Sequence, residues 1–300
     1  MTSCYIGRFA PSPSGPLHFG SVIAALGSFL QARSRGGQWL VRMEDIDIPR
    51  VQPGAADDIL RTLEKLHLFW DGEVFYQSRG NAAYREAEAL LESRQLLYPC
   101  ACTRRDIQGQ RYSGHCRNGL PPGKAGRSVR IKTTSEPVSF ADRVQGVQWQ
   151  NLQNETGDFI IRRADNITAY HLAVVVDDAW QGVTEIVRGN DLMDSTPRQI
   201  YLQELLGYPT PDYCHLPVAV NPDGRKISKQ NHAPGVRTHS PSRVLHNALQ
   251  FLGQGPDPAL RDASIETVID WGIKNWDLEK VPRLETIMFA DDHRATATQV

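Results

Sequence analysis

The chain has almost no net charge and no long apolar run. Across 300 residues, 33 Lys+Arg stand against 34 Asp+Glu, for a formal net charge of −1. That excludes a molecule-wide field for a polyanion and leaves any such partner to a local basic surface. Nowhere do about 18 apolar residues run together, which excludes a helical membrane span. The opening Met1-Thr2-Ser3-Cys4-Tyr5-Ile6-Gly7-Arg8 lacks the basic stretch and long apolar core of a secretory signal, so the cytoplasm is the expected location. Cysteine is scarce and odd in number: five, of which three fall between 100 and 116. A disulfide framework is poorly served by that count, and a metal site in a reduced compartment is better served. What remains is ordinary, with 40% hydrophobic and 22% charged residues, too apolar for a disordered chain and long enough for one large domain or two modest ones.

There is no internal repeat. Tyr5 to Phe9 reads as a short buried strand, and the loop Ala10-Pro11-Ser12-Pro13-Ser14-Gly15-Pro16 can continue neither strand nor helix. Val22, Ile23, Leu26, Phe29 and Leu30 then recur with helical period. Trp39 to Met43 reads as a second strand. Pro53-Gly54 leads into a helix carrying Ile59, Leu60, Leu63 and Leu66, and a further helix is expected from Asn81 to Leu97. Strands alternating with helices point to an α/β fold with a doubly wound parallel sheet. Residues 1–99 form its first half. Residues 100–153, rich in Gly, Pro and basic side chains, read as an insertion. Residues 154–235 form the second half, in which Leu172-Ala173-Val174-Val175-Val176 is expected to be a central strand buried on both faces. Residues 236–300 form a small helical C-terminal region, marked by Val244, Leu245, Ala248, Leu249 and Leu252.

Two loops carry candidate chemistry. Ser14 to Ser21 runs into a helix N-terminus, where unpaired backbone N–H groups and the macrodipole favour an anion such as a nucleotide phosphate. There Gly20 allows close approach and His18 can donate a hydrogen bond. By turn chemistry alone this is simply a loop. The segment Lys226-Ile227-Ser228-Lys229-Gln230 follows the turn Pro222-Asp223-Gly224-Arg225. Its cations could be a solvated surface, or could stabilise charge on a departing pyrophosphate.

Together the two loops are specific. Arg8 to Ser21 resembles the His-Ile-Gly-His region of class I aminoacyl-tRNA synthetases in their glutamate-specific form, and Lys226 to Gln230 resembles that family's Lys-Met-Ser-Lys-Ser loop. Three further stretches match in order: Leu40 to Asp47, Tyr170 to Asp178, and Ile186 to Asp191 with Thr196-Pro197-Arg198-Gln199 after it. The pattern departs at Ser21, where the motif has His, and at Gln230, where it has Ser. The resemblance implies a Rossmann catalytic domain that activates L-glutamate with ATP and Mg²⁺ as glutamyl-adenylate. It places Arg8, Ala10 and Ser12 along the amino-acid pocket, Glu44 on the α-ammonium, and Tyr170 and Arg188 on the side-chain carboxylate. It assigns His18 and Lys229 to catalysis, and His18, Gly20, Lys226, Ser228 and Lys229 to ATP. Two guanidinium groups suit a dicarboxylic amino acid, because each can grip a carboxylate bidentately. On spacing alone, Glu44 and Arg188 could equally form a structural ion pair.

Cys100, Cys102 and Cys116 supply three soft ligands in a compact loop, which favours Zn²⁺. Chemistry alone offers His115 as the fourth, although His115 adjoins Cys116; the resembling family uses Tyr112. Residues 104–132 hold Arg104, Arg105, Arg111, Arg117, Lys124, Arg127, Arg130 and Lys132 against Asp106. That asymmetry suits a phosphate-backbone contact surface, or equally a charged solvent loop. Only 70 residues follow Gln230, too few for the anticodon-reading domains of a conventional glutamyl-tRNA synthetase. The short form resembles the members that attach glutamate to queuosine in the anticodon of tRNA(Asp). It implies a monomer, no membrane partner, and activation of glutamate without tRNA. The alternatives are a trimmed conventional synthetase charging tRNA(Glu), or a non-catalytic RNA-binding relative.

Overall fold

The computed structural model describes residues 4–107, 111–226 and 240–289. The first half runs β1 (Ile6–Phe9), α1 (Phe19–Arg33), β2 (Gln38–Met43), α2 (Ala55–Lys65), β3 (Phe75–Tyr76) and α3 (Asn81–Ser93). Next come β4 (Leu97–Cys100), α4 (Arg104–Ile107), β5 (Ser128–Ile131), β6 (Val138–Asp142), β7 (Gly146–Gln150), α5 (Leu152–Glu155) and β8 (Phe159–Arg162). The remainder is α6 (Tyr170–Trp180), β9 (Glu185–Gly189), α7 (Thr196–Leu206), β10 (Asp212–Leu216), β11 (Val218–Val220), α8 (Pro241–Phe251), α9 (Ile265–Asn275) and β12 (Thr286–Met288).

The parallel sheet is real. β1 pairs in parallel with β2, and β2 with β3; β10 pairs in parallel with both β9 and β6. Hydrogen bonds from Thr184 N–H to Ile6 O (2.9 Å) and from Ile6 N–H to Thr184 Oγ1 (3.0 Å) bring β1 beside the start of β9. β7 closes one edge as an antiparallel partner of β6, and β4, β5 and β8 form a separate antiparallel sheet.

Two cores cover the two sides of this layer. One joins Val22, Leu26 and Leu30 of α1 to Trp39, Val41, Leu216, Leu245 and Leu249. The other joins Tyr84 and Leu91 of α3 to Leu172, Val175 and Val176 of α6, Ile200 and Leu202 of α7, Ile186 and Tyr213. Each large apolar side chain removed from water contributes about 1.5–3 kcal/mol. At Gly27 a Cβ would stand 2.5 Å from Leu216 Cδ1, so any larger residue there would have to displace that buried side chain where α1 packs on β10.

Two sequence-based expectations fail. Leu172 to Val176 is not a strand but the middle of α6, buried nearly all round. A short apolar run has no period to distinguish a central strand from a buried helix. The helix from Asn81 ends at Ser93 rather than Leu97: Gln95 takes a left-handed φ of 58°, the chain turns, and Leu97 opens β4. The expected helix through Val244 and Leu252 is α8, with Leu252 as its C-cap.

Candidate active site

The proline-rich loop after β1, the end of β2, the start of α6, the end of β9 and the β10–β11 turn converge on a cavity of about 400 Å³. Its lining includes Arg8, Ala10, Ser12, His18, Gly20, Glu44, Tyr170, Arg188 and Lys226. Every expected amino-acid and nucleotide residue among those described is therefore in one place. Ser228, Lys229 and Gln230 lie outside the described residues. A larger hollow of about 950 Å³ borders the cysteine loop, but the smaller cavity is the one that gathers buried ionisable groups.

The cavity floor is an ion-pair network. Arg8 donates from Nε to Asp178 Oδ1 (3.0 Å) and from Nη2 to Oδ2 (3.5 Å). Arg42, fully buried, places Nη1 2.8 Å from the same carboxylate, Nη2 3.6 Å from Glu44 and Nε 3.8 Å from Asp177. Tyr84 and Gln77 donate to Asp177 at 2.7 and 2.8 Å. Three acids thus face two guanidiniums. Burial drives the Glu44 carboxyl up to about 7, against the pull of Arg42 and Arg8. Burial also raises Asp177 to about 6, whereas Asp178 is held below the usual carboxylate range because Arg42 and Arg8 outweigh its burial. The floor is one cation short, and the deficit falls on Glu44. Burial and then Glu44 push the Tyr170 phenol up to about 12, which keeps it a donor.

Arg188, on β9, is buried. Its Nε faces His215 Nε2 at 3.1 Å and its Nη2 donates to Thr196 Oγ1 at 2.7 Å, while Nη1 is buried with no partner among the described residues. Neither cavity guanidinium therefore offers its Nε edge to a ligand, since Arg8 spends that edge on Asp178 and Arg188 on His215. Across the cavity His18 caps α1, accepting the Ser21 N–H at Nδ1 (3.2 Å), and the Ser21 hydroxyl lies 3.0 Å from Nε2. Ser21, the residue that departs from the motif, thus holds His18 in place. Lys226 follows a turn in which Gly224 takes a φ of 77°, and it pairs with Asp191.

In the cysteine loop, the sulfurs of Cys100, Cys102 and Cys116 lie within 4.8 Å of one another. The Cys102–Cys116 separation is 3.7 Å, close to the edge of about 3.8 Å that a tetrahedron with 2.3 Å zinc–sulfur bonds requires. The Tyr112 hydroxyl stands 3.4 Å from Cys100 Sγ and accepts the Cys116 N–H at 2.9 Å, whereas His115 is exposed. The basic surface is smaller than the sequence suggests. Arg130 is buried, with its guanidinium 3.8 Å over the Tyr112 ring, and Arg117 pairs with Asp158 at 2.7 Å. Arg104, Arg105, Arg111, Lys124 and Arg127 remain exposed.

Residues 6–127 and 122–243 match the family described as tRNA synthetases class I (E and Q), catalytic domain. A protein of Aromatoleum aromaticum named glutamyl-Q tRNA(Asp) synthetase is 54% identical over 287 residues, covering 93% of this chain and 91% of its own. Proteins of the same name from Dechloromonas aromatica (51% identical, covering 96% and 99%) and Escherichia coli K12 (55%, covering 93% and 91%) are similar over nearly their whole lengths. The chain belongs to the glutamyl-Q tRNA(Asp) synthetase family of class I tRNA synthetases. In fold it is similar to the glutamate-tRNA synthetase of Elizabethkingia anophelis, with a TM-score of 0.81 at 23% identity, covering 96% of this chain and 68% of the other.

Within this family setting, sequence reasoning missed Arg42, Asp142 and His215 as parts of the site. Arg42 stood in plain view beside Glu44 and read as a strand residue. Asp142 and His215 carried no local signal, being 73 residues apart.

Proposed function

We propose that the chain condenses L-glutamate with ATP to glutamyl-adenylate and passes the glutamyl group to queuosine in the anticodon of tRNA(Asp). The observation that carries the reading is the cavity's charge pattern: a floor short of one cation at Glu44, and Arg188 lining the same cavity with its buried Nη1 left without a partner among the described residues. An α-ammonium answers the first and a side-chain carboxylate the second, so the fitting ligand is a dicarboxylic amino acid. Relatives that are more than half identical bear the corresponding name, which favours this reading over a conventional synthetase.

In the first step the glutamate α-carboxylate oxygen attacks the α-phosphorus of ATP, an anhydride bond to adenylate forms, and pyrophosphate leaves. Arg8, Ala10, Ser12 and Tyr170 shape the amino-acid end of the cavity, and His18, Gly20 and Lys226 border the nucleotide. Ser228 and Lys229, outside the described residues, keep the roles the resemblance gives them, ATP binding for both and catalysis for Lys229. Mg²⁺ would offset charge on the phosphates. Alignment and charge stabilisation supply the rate, and no covalent enzyme intermediate is needed. In the second step a hydroxyl of the queuosine cyclopentene diol attacks the activated carbonyl and AMP leaves.

Cys100, Cys102, Tyr112 and Cys116 would hold Zn²⁺, which shapes the loop carrying Arg104, Arg105, Arg111, Lys124 and Arg127 toward tRNA phosphates. The test is glutamate-dependent ATP–pyrophosphate exchange without tRNA. Exchange with glutamate and none with glutamine is expected. Absence of exchange, or equal rates with the two amino acids, would overturn the reading.

A further inference from the structure

Three neighbouring strands set a row of polar side chains behind the amino-acid cavity. β6, β10 and β9 run parallel, with Asp142 in register with Tyr213, and His215 with Arg188. Asp142 Oδ2 lies 2.6 Å from His215 Nδ1. The same carboxyl accepts the backbone N–H groups of Val144 (3.0 Å), Gln145 (2.8 Å) and His215 (3.1 Å). A carboxyl surrounded by donors stays ionised. Although burial pushes Asp142 up, the His215 bond and these amides hold it below its ordinary value.

His215 therefore donates from Nδ1, which leaves Nε2 a lone pair. That lone pair faces Arg188 Nε at 3.1 Å and Thr196 Oγ1 at 3.1 Å. Burial, with Arg188 beside it, lowers the His215 pKa, consistent with a neutral ring that can accept. Thr196 takes the Nη2 donor at 2.7 Å, and the guanidinium lies 5.5 Å over the Tyr213 ring. His215 and Thr196 are wholly buried. The fork is thus fixed at Nε and Nη2, and Nη1 is the donor left without a partner among the described residues.

We propose that Asp142 and His215 are positioning residues: Asp142 fixes the His215 tautomer, His215 locks the Arg188 guanidinium, and the locked Nη1 edge selects a side-chain carboxylate over its amide. The proposal rests on the glutamate reading above for its substrate and on the strand geometry for its mechanism. A guanidinium held at two points cannot swing to meet a misplaced or uncharged ligand, so an amide leaves a buried cation without its counter-charge.

Two substitutions separate positioning from mere support. His215→Asn keeps a donor near Asp142 but lacks the acceptor for Arg188, whereas His215→Gln can place a carbonyl oxygen where Nε2 stands. In glutamate-dependent exchange by the full chain, His215→Asn is expected to raise the glutamate KM by about 10- to 100-fold, the worth of a hydrogen bond to a charged group. The ATP KM should stay unchanged, and His215→Gln should recover most of the loss. Equal effects of the two variants, or a matching rise in the ATP KM, would overturn the proposal. Should His215→Asn fail to fold, Thr196→Val, which removes the other anchor, is expected to raise the glutamate KM in the same way; no rise would overturn the proposal.

A ring ¹⁵N spectrum of the unmodified protein is independent of any substrate. A neutral His215 protonated at Nδ1 is expected, and a proton on Nε2 would sink the relay even if exchange proceeds. Absence of wild-type exchange beside the expected spectrum would instead fault the glutamate reading alone.

Discussion

The amino-acid cavity and the cysteine loop are both clusters of ionisable side chains, yet they are held together in different ways. Under the cavity, Arg8, Arg42, Asp177 and Asp178 are buried and bound to one another, so the protein's own charges fix the geometry before any ligand arrives. In the loop, three thiol groups lie close around a shared point, and the cation beside them, Arg130, spends itself on the Tyr112 ring, Cys100 and the Asp158 carbonyl. The first cluster is preorganised by paired charge. The second is a cluster that could hold a metal ion, whose attraction for thiolates would exceed anything the loop offers itself.

The largest expected effect strikes the paired cluster. Arg42→Met leaves Asp177, Asp178 and Glu44 buried around a missing cation, and removal of one partner from such a network costs about 3–5 kcal/mol. Urea unfolding should report that loss, whereas a change under about 1 kcal/mol would show the floor to be no better held than a surface ion pair. Metal chelation should do less and act elsewhere. Faster amide exchange is expected through residues 100–116 and β5, with glutamate-dependent pyrophosphate exchange kept within about threefold, since the two cavities have separate linings. A parallel collapse of activity would join what the comparison separates.

A separate effect, confined to the cavity, is one of pH. Glu44 must be ionised to hold an ammonium, and its carboxyl titrates at about 7. Glutamate affinity should therefore weaken as pH falls through 7, approaching tenfold per unit, and Glu44→Gln should flatten the profile at a uniformly weak level. A wild-type profile flat from pH 8 to 5 would place the ammonium elsewhere.

The sequence showed the local parts of this site and hid the long-range ones. Arg8, Ser12 and His18 sit within one strand–loop–helix unit, where proline and glycine punctuation and helical period are both visible along the chain. The partner of Arg8 is 170 residues away on α6, and that helix was itself hidden because Leu172 to Val176 has no polar position to reveal its period. Asp177 and Asp178 carried no sign in the sequence of their burial, yet both are buried, since α6 carries them to Arg8 of β1 and Arg42 of β2. The basic residues near the cysteines were legible as charge but not as surface: Arg130 and Arg117 turn inward to Tyr112 and Asp158. Composition counts charges, and only packing decides which of them face water.

The most direct test of the account supplies labelled glutamate and ATP, with the full chain, to tRNA from cells that make queuosine and to tRNA from cells that cannot. Label should enter only the first pool, and periodate cleavage of the cyclopentene diol before charging should prevent its entry. Equal labelling of both pools, or label on an acceptor end, would contradict the account.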